Sequence, residues 1–134
     1  MSLDHKPLVL IVDDEEDFPE IISAKLSAAG MTTVHVKDPK KAVEEATKQK
    51  PDLMLVDISM PELSGSDLML DLRQNDATKD IKIAFLTNTK EPWPGFSGTQ
   101  NDIAKELGAS DFLQKTEDLD VLLKKIQALL TQNS

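Results

Sequence analysis

Two apolar runs organise the chain. Leu8-Val9-Leu10-Ile11-Val12 and Leu53-Met54-Leu55-Val56 contain no polar residue, as expected of strands covered on both faces. Each runs straight into carboxylates. The first ends in Asp13-Asp14-Glu15-Glu16-Asp17, and the second in Asp57, before a loop punctuated by Pro61 and Gly65. Thr32-Thr33-Val34-His35-Val36 alternates and suits an edge strand. Ile81-Lys82-Ile83-Ala84-Phe85-Leu86 is a fourth strand ending in Thr87, and Asp111-Phe112-Leu113 a fifth ending near Lys115. Helical spacing fills the intervals. Phe18, Ile21, Ile22 and Leu26 follow Asp17 as N-cap, with Glu20 completing a capping box, Pro19 in the first turn and Gly30 as the closing residue. Asp38-Pro39 opens a second helix to about Gln49, carrying Ala42, Val43 and Ala46 and ended by Pro51. Ser64 or Ser66 caps a third, with Leu68 and Leu72 on one face. Asn88 to about Gln100 reads as a long loop. Ile103, Ala104 and Leu107 form a short fourth helix closed by Gly108. The last helix, from about Asp118 to Leu130, turns Leu119, Leu122, Leu123, Ile126, Leu129 and Leu130 inward.

Five alternations of strand and helix predict an α/β fold, a doubly wound parallel sheet with right-handed crossovers. The flavodoxin-like strand order 2-1-3-4-5, with five helices, is the natural arrangement. It sets strands one and three side by side, so Asp13, Asp14 and Asp57 meet where the strand order reverses. No linker or repeat divides the chain, and residues 1–134 read as one domain with a core of about 7–131.

Composition narrows the partners. The chain has 134 residues, 40% of them hydrophobic, enough for a core without staples. It has no cysteine, which removes disulfides and thiolate metal sites and fits a reducing compartment. A net charge of -9 argues against binding nucleic acid or anionic membranes through this surface. No apolar run approaches the roughly 18 residues that span a bilayer, and Met1–Pro7 lacks a signal-peptide core. The expectation is a soluble cytoplasmic protein.

Three carboxylates at one point repel: two unit charges about 4 Å apart cost roughly 4 kcal/mol at an effective dielectric near 20. Such a cluster protonates in part or binds a cation, and hard oxygen ligands in an open site suit Mg²⁺. Lys115 brings a point positive charge from strand five and Thr87 a hydroxyl from strand four. A metal, a lysine and a hydroxyl around one carboxylate stabilise a transferring phosphoryl group, with Asp57 as the nucleophile that forms an aspartyl phosphate. Singly, each residue reads as a turn former, a cap or a surface charge. Together, five such positions fall at the ends of strands one, three, four and five.

Four blocks carry a further likeness: Val12-Asp13-Asp14-Glu15, then Asp57 with Met60, Pro61 and Gly65 spaced behind it, then Leu86-Thr87, then Gly108-Ala109-Ser110-Asp111-Phe112-Leu113-Gln114-Lys115. Through them the sequence resembles the receiver domain of two-component response regulators over nearly its whole length. The resemblance implies that Asp57 accepts phosphate from a histidine kinase or histidine phosphotransfer protein. It implies that Asp13 and Asp14 hold Mg²⁺ together with Asp57 and the Ser59 carbonyl, and that Thr87 and Lys115 contact the phosphoryl oxygens. Phe112 would change rotamer as Thr87 moves, shifting the face made by the fourth helix, fifth strand and fifth helix to control a downstream effector protein or domain. Such a module catalyses its own phosphoryl transfer and hydrolysis within a phosphorelay and is not a metabolic enzyme. No effector domain follows, so the chain reads either as a single-domain, chemotaxis-type regulator or as a piece of a longer protein.

Three positions depart from the family's pattern. Thr116 replaces the usual proline after the lysine, Asn88 replaces a small residue after the switch threonine, and the loop holding Lys90-Glu91-Pro92-Trp93-Pro94-Gly95-Phe96 is long. The resemblance implies that Ser59 and Thr89 occupy the positions that tune the phosphoryl lifetime in the family. Trp93 and Phe96 either staple the loop onto the domain or offer a partner an aromatic anchor. A change in loop order on phosphorylation would alter Trp93 emission when Mg²⁺ and a phosphoryl analogue are added, and an unchanged spectrum counts against it. His5 and His35 fall away from the strand ends that gather around Asp57 and are poor candidates for chemistry.

Three other functions compete. A haloacid-dehalogenase phosphatase shares the strand-end Asp, but Ser59 stands where its second Asp belongs. A flavodoxin needs a Ser/Thr/Gly-rich phosphate loop after strand one, and here that loop is acidic. An unphosphorylated pseudo-receiver interaction module lacks part of the acid and lysine set that this sequence retains.

Overall fold

The computed structural model describes residues 6–57, 65–87, 111–115 and 117–131. Five strands, β1 (Leu8–Val12), β2 (Thr32–Val36), β3 (Leu53–Asp57), β4 (Lys82–Thr87) and β5 (Asp111–Gln114), form one parallel sheet in the order β2-β1-β3-β4-β5. This is the expected flavodoxin-like order. The described helices are α1 (Asp17–Ala28), α2 (Ala42–Gln49), α3 (Gly65–Gln74) and a C-terminal helix (Leu119–Thr131). The long loop 88–100 and the short helix expected around Ile103–Leu107 lie outside the described residues.

Strand alternation sorts the side chains into two layers. Leu10, Val12, Met54, Val56, Ile83 and Phe85 pack with Ala42, Ala46, Leu68 and Leu72 of α2 and α3. Val9, Ile11, Leu53, Leu55, Ala84 and Leu86 pack with Ile22 and Leu26 of α1 and with Leu122, Ile126 and Leu129 of the C-terminal helix. Strands β1 and β3 carry unbroken apolar runs because both faces are covered. The edge strand β2 exposes Thr32 and His35.

The local capping signals are met in part. Asp38 caps its helix as expected, accepting from the Lys40 amide at 3.0 Å, but the chain first makes a 3-10 turn over Pro39–Lys41. Asp118 accepts from the Asp120 amide at 2.8 Å at the start of the C-terminal helix. Gly30 closes α1 with φ +91°. The capping box expected of Asp17 and Glu20 does not form. Asp17 is already helical, Glu16 is the N-cap, and no side chain caps α1. The Glu16 carboxylate goes instead to Lys37 at 2.8 Å, while Asp17 and Glu20 sit favourably at the positive end of the helix dipole.

Helix α2 ends at Lys50, which adopts φ 51° in the left-handed region and donates its amide to the Ala46 carbonyl at 3.0 Å. A side chain there costs about 1 kcal/mol against glycine. Lys50→Gly is therefore expected to stabilise the domain by about 0.5–1 kcal/mol in urea unfolding.

Candidate functional site

The carboxyl ends of β1 and β3 adjoin because the strand order reverses there. Val12 pairs with Val56, so Asp13 and Asp57 leave the sheet next to each other. Asp13 is fixed on every side. Its amide donates to the Val36 carbonyl at 3.1 Å, its Oδ1 accepts from the Glu15 amide at 2.9 Å, and its carbonyl lies 2.7 Å from His35 Nε2. Asp57 is the last residue of β3 and is paired in register with Leu86. Thr87, buried at the end of β4, accepts the Lys115 amide on its carbonyl at 2.7 Å. That bond carries the β4–β5 ladder one step further and aims Lys115 back across the sheet.

The Lys115 ammonium reaches three carboxylates. Nζ lies 2.6 Å from Asp13 Oδ2, 2.9 Å from Glu15 Oε1 and 3.0 Å from Asp57 Oδ2. The side chains of Asp13, Asp57 and Lys115 are 0%, 1% and 5% exposed, whereas that of Glu15 is 54% exposed. The Phe18 ring centroid lies 5.2 Å from the same nitrogen, within cation–π range. Burial alone would push the lysine pKa down, but its bonds to Asp13, Glu15 and Asp57 outweigh this and hold it well above the usual lysine range. Lys115 is a fixed cation at any physiological pH.

The acidic residues fit a divalent cation. Asp13, exposed Asp14 and Asp57 each offer a carboxylate oxygen, all within 4.8 Å of one another. The buried Asp13 Oδ2 makes no hydrogen bond and meets Lys115 only as an ion pair, so it retains capacity for a metal. Burial raises the Asp13 pKa, Lys115 and the Glu15 amide lower it, Asp57 raises it again, and the net shift is upward. Ionised Asp13 therefore weakens the metal-free fold. Its folded pKa lies above the unfolded one, so the burden is full above the folded value and fades as pH falls toward the ordinary carboxylate range. Asp13→Asn is expected to raise the unfolding free energy in the presence of a chelator by about 1–3 kcal/mol at neutral pH. In urea titrations that gain should shrink near pH 4.

The structure thus brings together Asp13, Asp14, Asp57 and Lys115, with Thr87 one strand away. Ser59, the proposed carbonyl ligand, lies outside the described residues, as do Asn88, Thr89, Trp93, Phe96 and Thr116. Phe112 takes its place in β5 opposite Phe85, and its side chain is likewise outside them. Glu15, Phe18 and His35 join the site beyond the residues that the sequence pattern assigns to it. Glu15 carried a weak signal, since it continues the acidic run after Asp14. Phe18 has only the spacing of a core-facing helical residue. His35 reaches Asp13 because β2 pairs with β1 in parallel, with His35 opposite Ile11, a register not legible in the local sequence.

The response regulator receiver domain family matches residues 9–127. The chain is 36% identical over 123 residues to the sensory transduction protein BceR of Halalkalibacterium halodurans, covering 92% of this chain and 49% of that protein. It is 32% identical over 122 residues to the phosphate regulon transcriptional regulatory protein PhoB of Pseudomonas aeruginosa, covering 91% and 51%. The chain therefore spans about half the length of the curated relatives it matches. Among solved structures, the BeF3-activated N-terminal receiver domain of Klebsiella pneumoniae RstA superposes with a TM-score of 0.77 at 30% identity, over 93% of this chain and 99% of that one. The chemotaxis response regulator CheY4 of Vibrio cholerae gives 0.79 at 26% identity, with the same coverage. Among the described residues no helix is long and apolar enough to cross a membrane.

Proposed function

The chain belongs to the response regulator receiver domain family, and from that premise we propose that Asp57 is its phosphoacceptor. One observation carries the reading: the ammonium of Lys115 lies 3.0 Å from Asp57, where the carboxylates of Asp13 and Asp14 also converge. In the proposed step an Asp57 carboxylate oxygen attacks the phosphorus of a phosphohistidine. A P–O bond forms, the P–N bond breaks, and its electron pair returns to that nitrogen of the donor's imidazole, which leaves neutral because the ring already carries a proton on its other nitrogen. Lys115 binds a phosphoryl oxygen and offsets the added negative charge. Thr87 supplies a hydroxyl to another oxygen from the end of β4. Asp13, Asp14, Asp57 and the Ser59 carbonyl would hold Mg²⁺, which when bound supplies charge neutralisation for the phosphoryl oxygens and for the carboxylates themselves.

On this reading residues 1–134 are one receiver domain with a core of about 7–131, charged by a histidine kinase or histidine phosphotransfer protein in the cytoplasm. Thr87 and Phe112 pass the change to the face that a downstream effector protein or output domain reads. The relatives named as transcriptional regulators suggest an output domain in a longer protein, and CheY4 suggests a free-standing regulator. The pseudo-receiver alternative has no support, since carboxylate oxygens of Asp13, Asp14 and Asp57 lie within 4.8 Å of one another and Lys115 is ion-paired with Asp13 and Asp57.

Beryllofluoride tests the reading, because the RstA receiver domain to which this chain is similar was activated with it. Addition of beryllofluoride with Mg²⁺ should give a saturable change in the amide NMR spectrum that needs both components. Asp57→Ala should remove it. A spectrum that does not change, or that changes equally in the variant, contradicts the proposal.

A further inference from the structure

We propose that Glu15 is the counter-ion that Lys115 gives up when a phosphoryl oxyanion arrives, so that Glu15 sets the anion affinity of the site. The inference rests on Asp57 being the phosphoacceptor. An ammonium has three N–H donors, and Lys115 faces three carboxylates, at 2.6, 2.9 and 3.0 Å. Nζ donates to Glu15 and Asp57 and is ion-paired with Asp13, so a phosphoryl oxygen reaches Lys115 in competition with these carboxylates. Asp13 is fully buried, and Asp57 is itself the group that carries the phosphoryl, so neither can swing out into water. Glu15 is half exposed and its carboxylate can be rehydrated on release. Glu15 is therefore the partner with the lowest cost of exchange. The Phe18 ring beside Nζ keeps the ammonium in place while its third partner changes.

Two opposite effects follow from removing that charge. Glu15→Gln leaves Lys115 with one fewer anionic competitor and makes the pocket less negative. Beryllofluoride, titrated in saturating Mg²⁺ and followed by NMR, should bind about threefold to tenfold more tightly than to the wild type. Mg²⁺ titrated alone should bind about twofold to threefold more weakly. A merely structural role would weaken both.

Glu15→Asp separates the direct contact from the general field, since it keeps the charge but loses one methylene of reach. It should match the Gln variant in tighter beryllofluoride binding and match the wild type in Mg²⁺ affinity. If Glu15→Asp keeps wild-type affinity for both, or if Glu15→Gln leaves beryllofluoride binding unchanged or weaker, the proposal is overturned. The two readings fail separately. No Asp57-dependent beryllofluoride binding in the wild type refutes the phosphoacceptor, whereas normal wild-type binding with an unresponsive Glu15→Gln refutes only the counter-ion.

Discussion

Asp57→Ala is expected to abolish phosphoryl uptake from acetyl phosphate while leaving a folded domain. The chemical loss is complete because no described carboxylate can substitute. Asp13 is held by its Asx turn with Glu15, Asp14 is exposed, and Glu15 sits on the outer side of Lys115. The structural consequence is small because two large contributions offset. Removing Asp57 removes an attraction to Lys115 at 3.0 Å and a repulsion from Asp13 and Asp14 within 4.8 Å. At an effective dielectric near 20 each is worth several kcal/mol, about 4 kcal/mol for unit charges 4 Å apart. Lys115 keeps Asp13 and Glu15, so the variant should unfold within about 1–2 kcal/mol of the wild type. Intact-mass measurement after acetyl phosphate and Mg²⁺, paired with urea unfolding, checks both halves. A variant that unfolds would leave the lost uptake without chemical meaning, and Asp57→Asn then supplies the folded comparison.

Lys115→Met should have the larger effect on stability. It leaves buried Asp13 and Asp57 without their cation, and breaking a buried pair by removing one partner costs about 3–5 kcal/mol. Proton uptake limits the cost. With the lysine gone, Asp13, whose pKa burial already raises, loses the interactions with Lys115 that lower it. The penalty from Asp13 is then largest at neutral pH and declines as pH falls through its folded pKa. Mg²⁺ should recover part of the loss by mass action, since the variant pocket is more negative and binds a cation more tightly. Beryllofluoride should bind more weakly. Thermal unfolding at pH 7 with and without Mg²⁺ reads the first effect, and a beryllofluoride titration the second. Equal stability of Lys115→Met and wild type in chelator would mean that the three carboxylates do not depend on this ammonium.

Most of the frame was legible because β1 and β3 declare themselves. Their apolar runs allow only central, doubly covered strands, and a central pair in a doubly wound sheet brings Asp13 beside Asp57. Lys115 was legible as a strand-end cation, and the structure lands it on that pair. The start of α1 was not legible. Asp17 and Glu20 have the spacing of a capping box, but the nearby Lys37 draws the Glu16 carboxylate and leaves the helix without a side-chain cap. Nothing in the local sequence announces a lysine from the end of β2, because that contact depends on the sheet order. The same holds for Glu15 and Phe18, whose partner is 100 and 97 positions away in the chain. The left-handed Lys50 is equally hidden, since Lys-Pro specifies a helix end but not the sign of φ.

The central claim is that one carboxylate, Asp57, carries the phosphoryl group. It is tested most directly by treating the wild-type protein with acetyl phosphate and Mg²⁺, reducing the product with borohydride and mapping the modified residue by peptide mass spectrometry. The account predicts a single phosphoryl adduct, dependent on Mg²⁺, with homoserine at position 57 after reduction. An adduct on another residue, or none under conditions where Mg²⁺ binds, would contradict it.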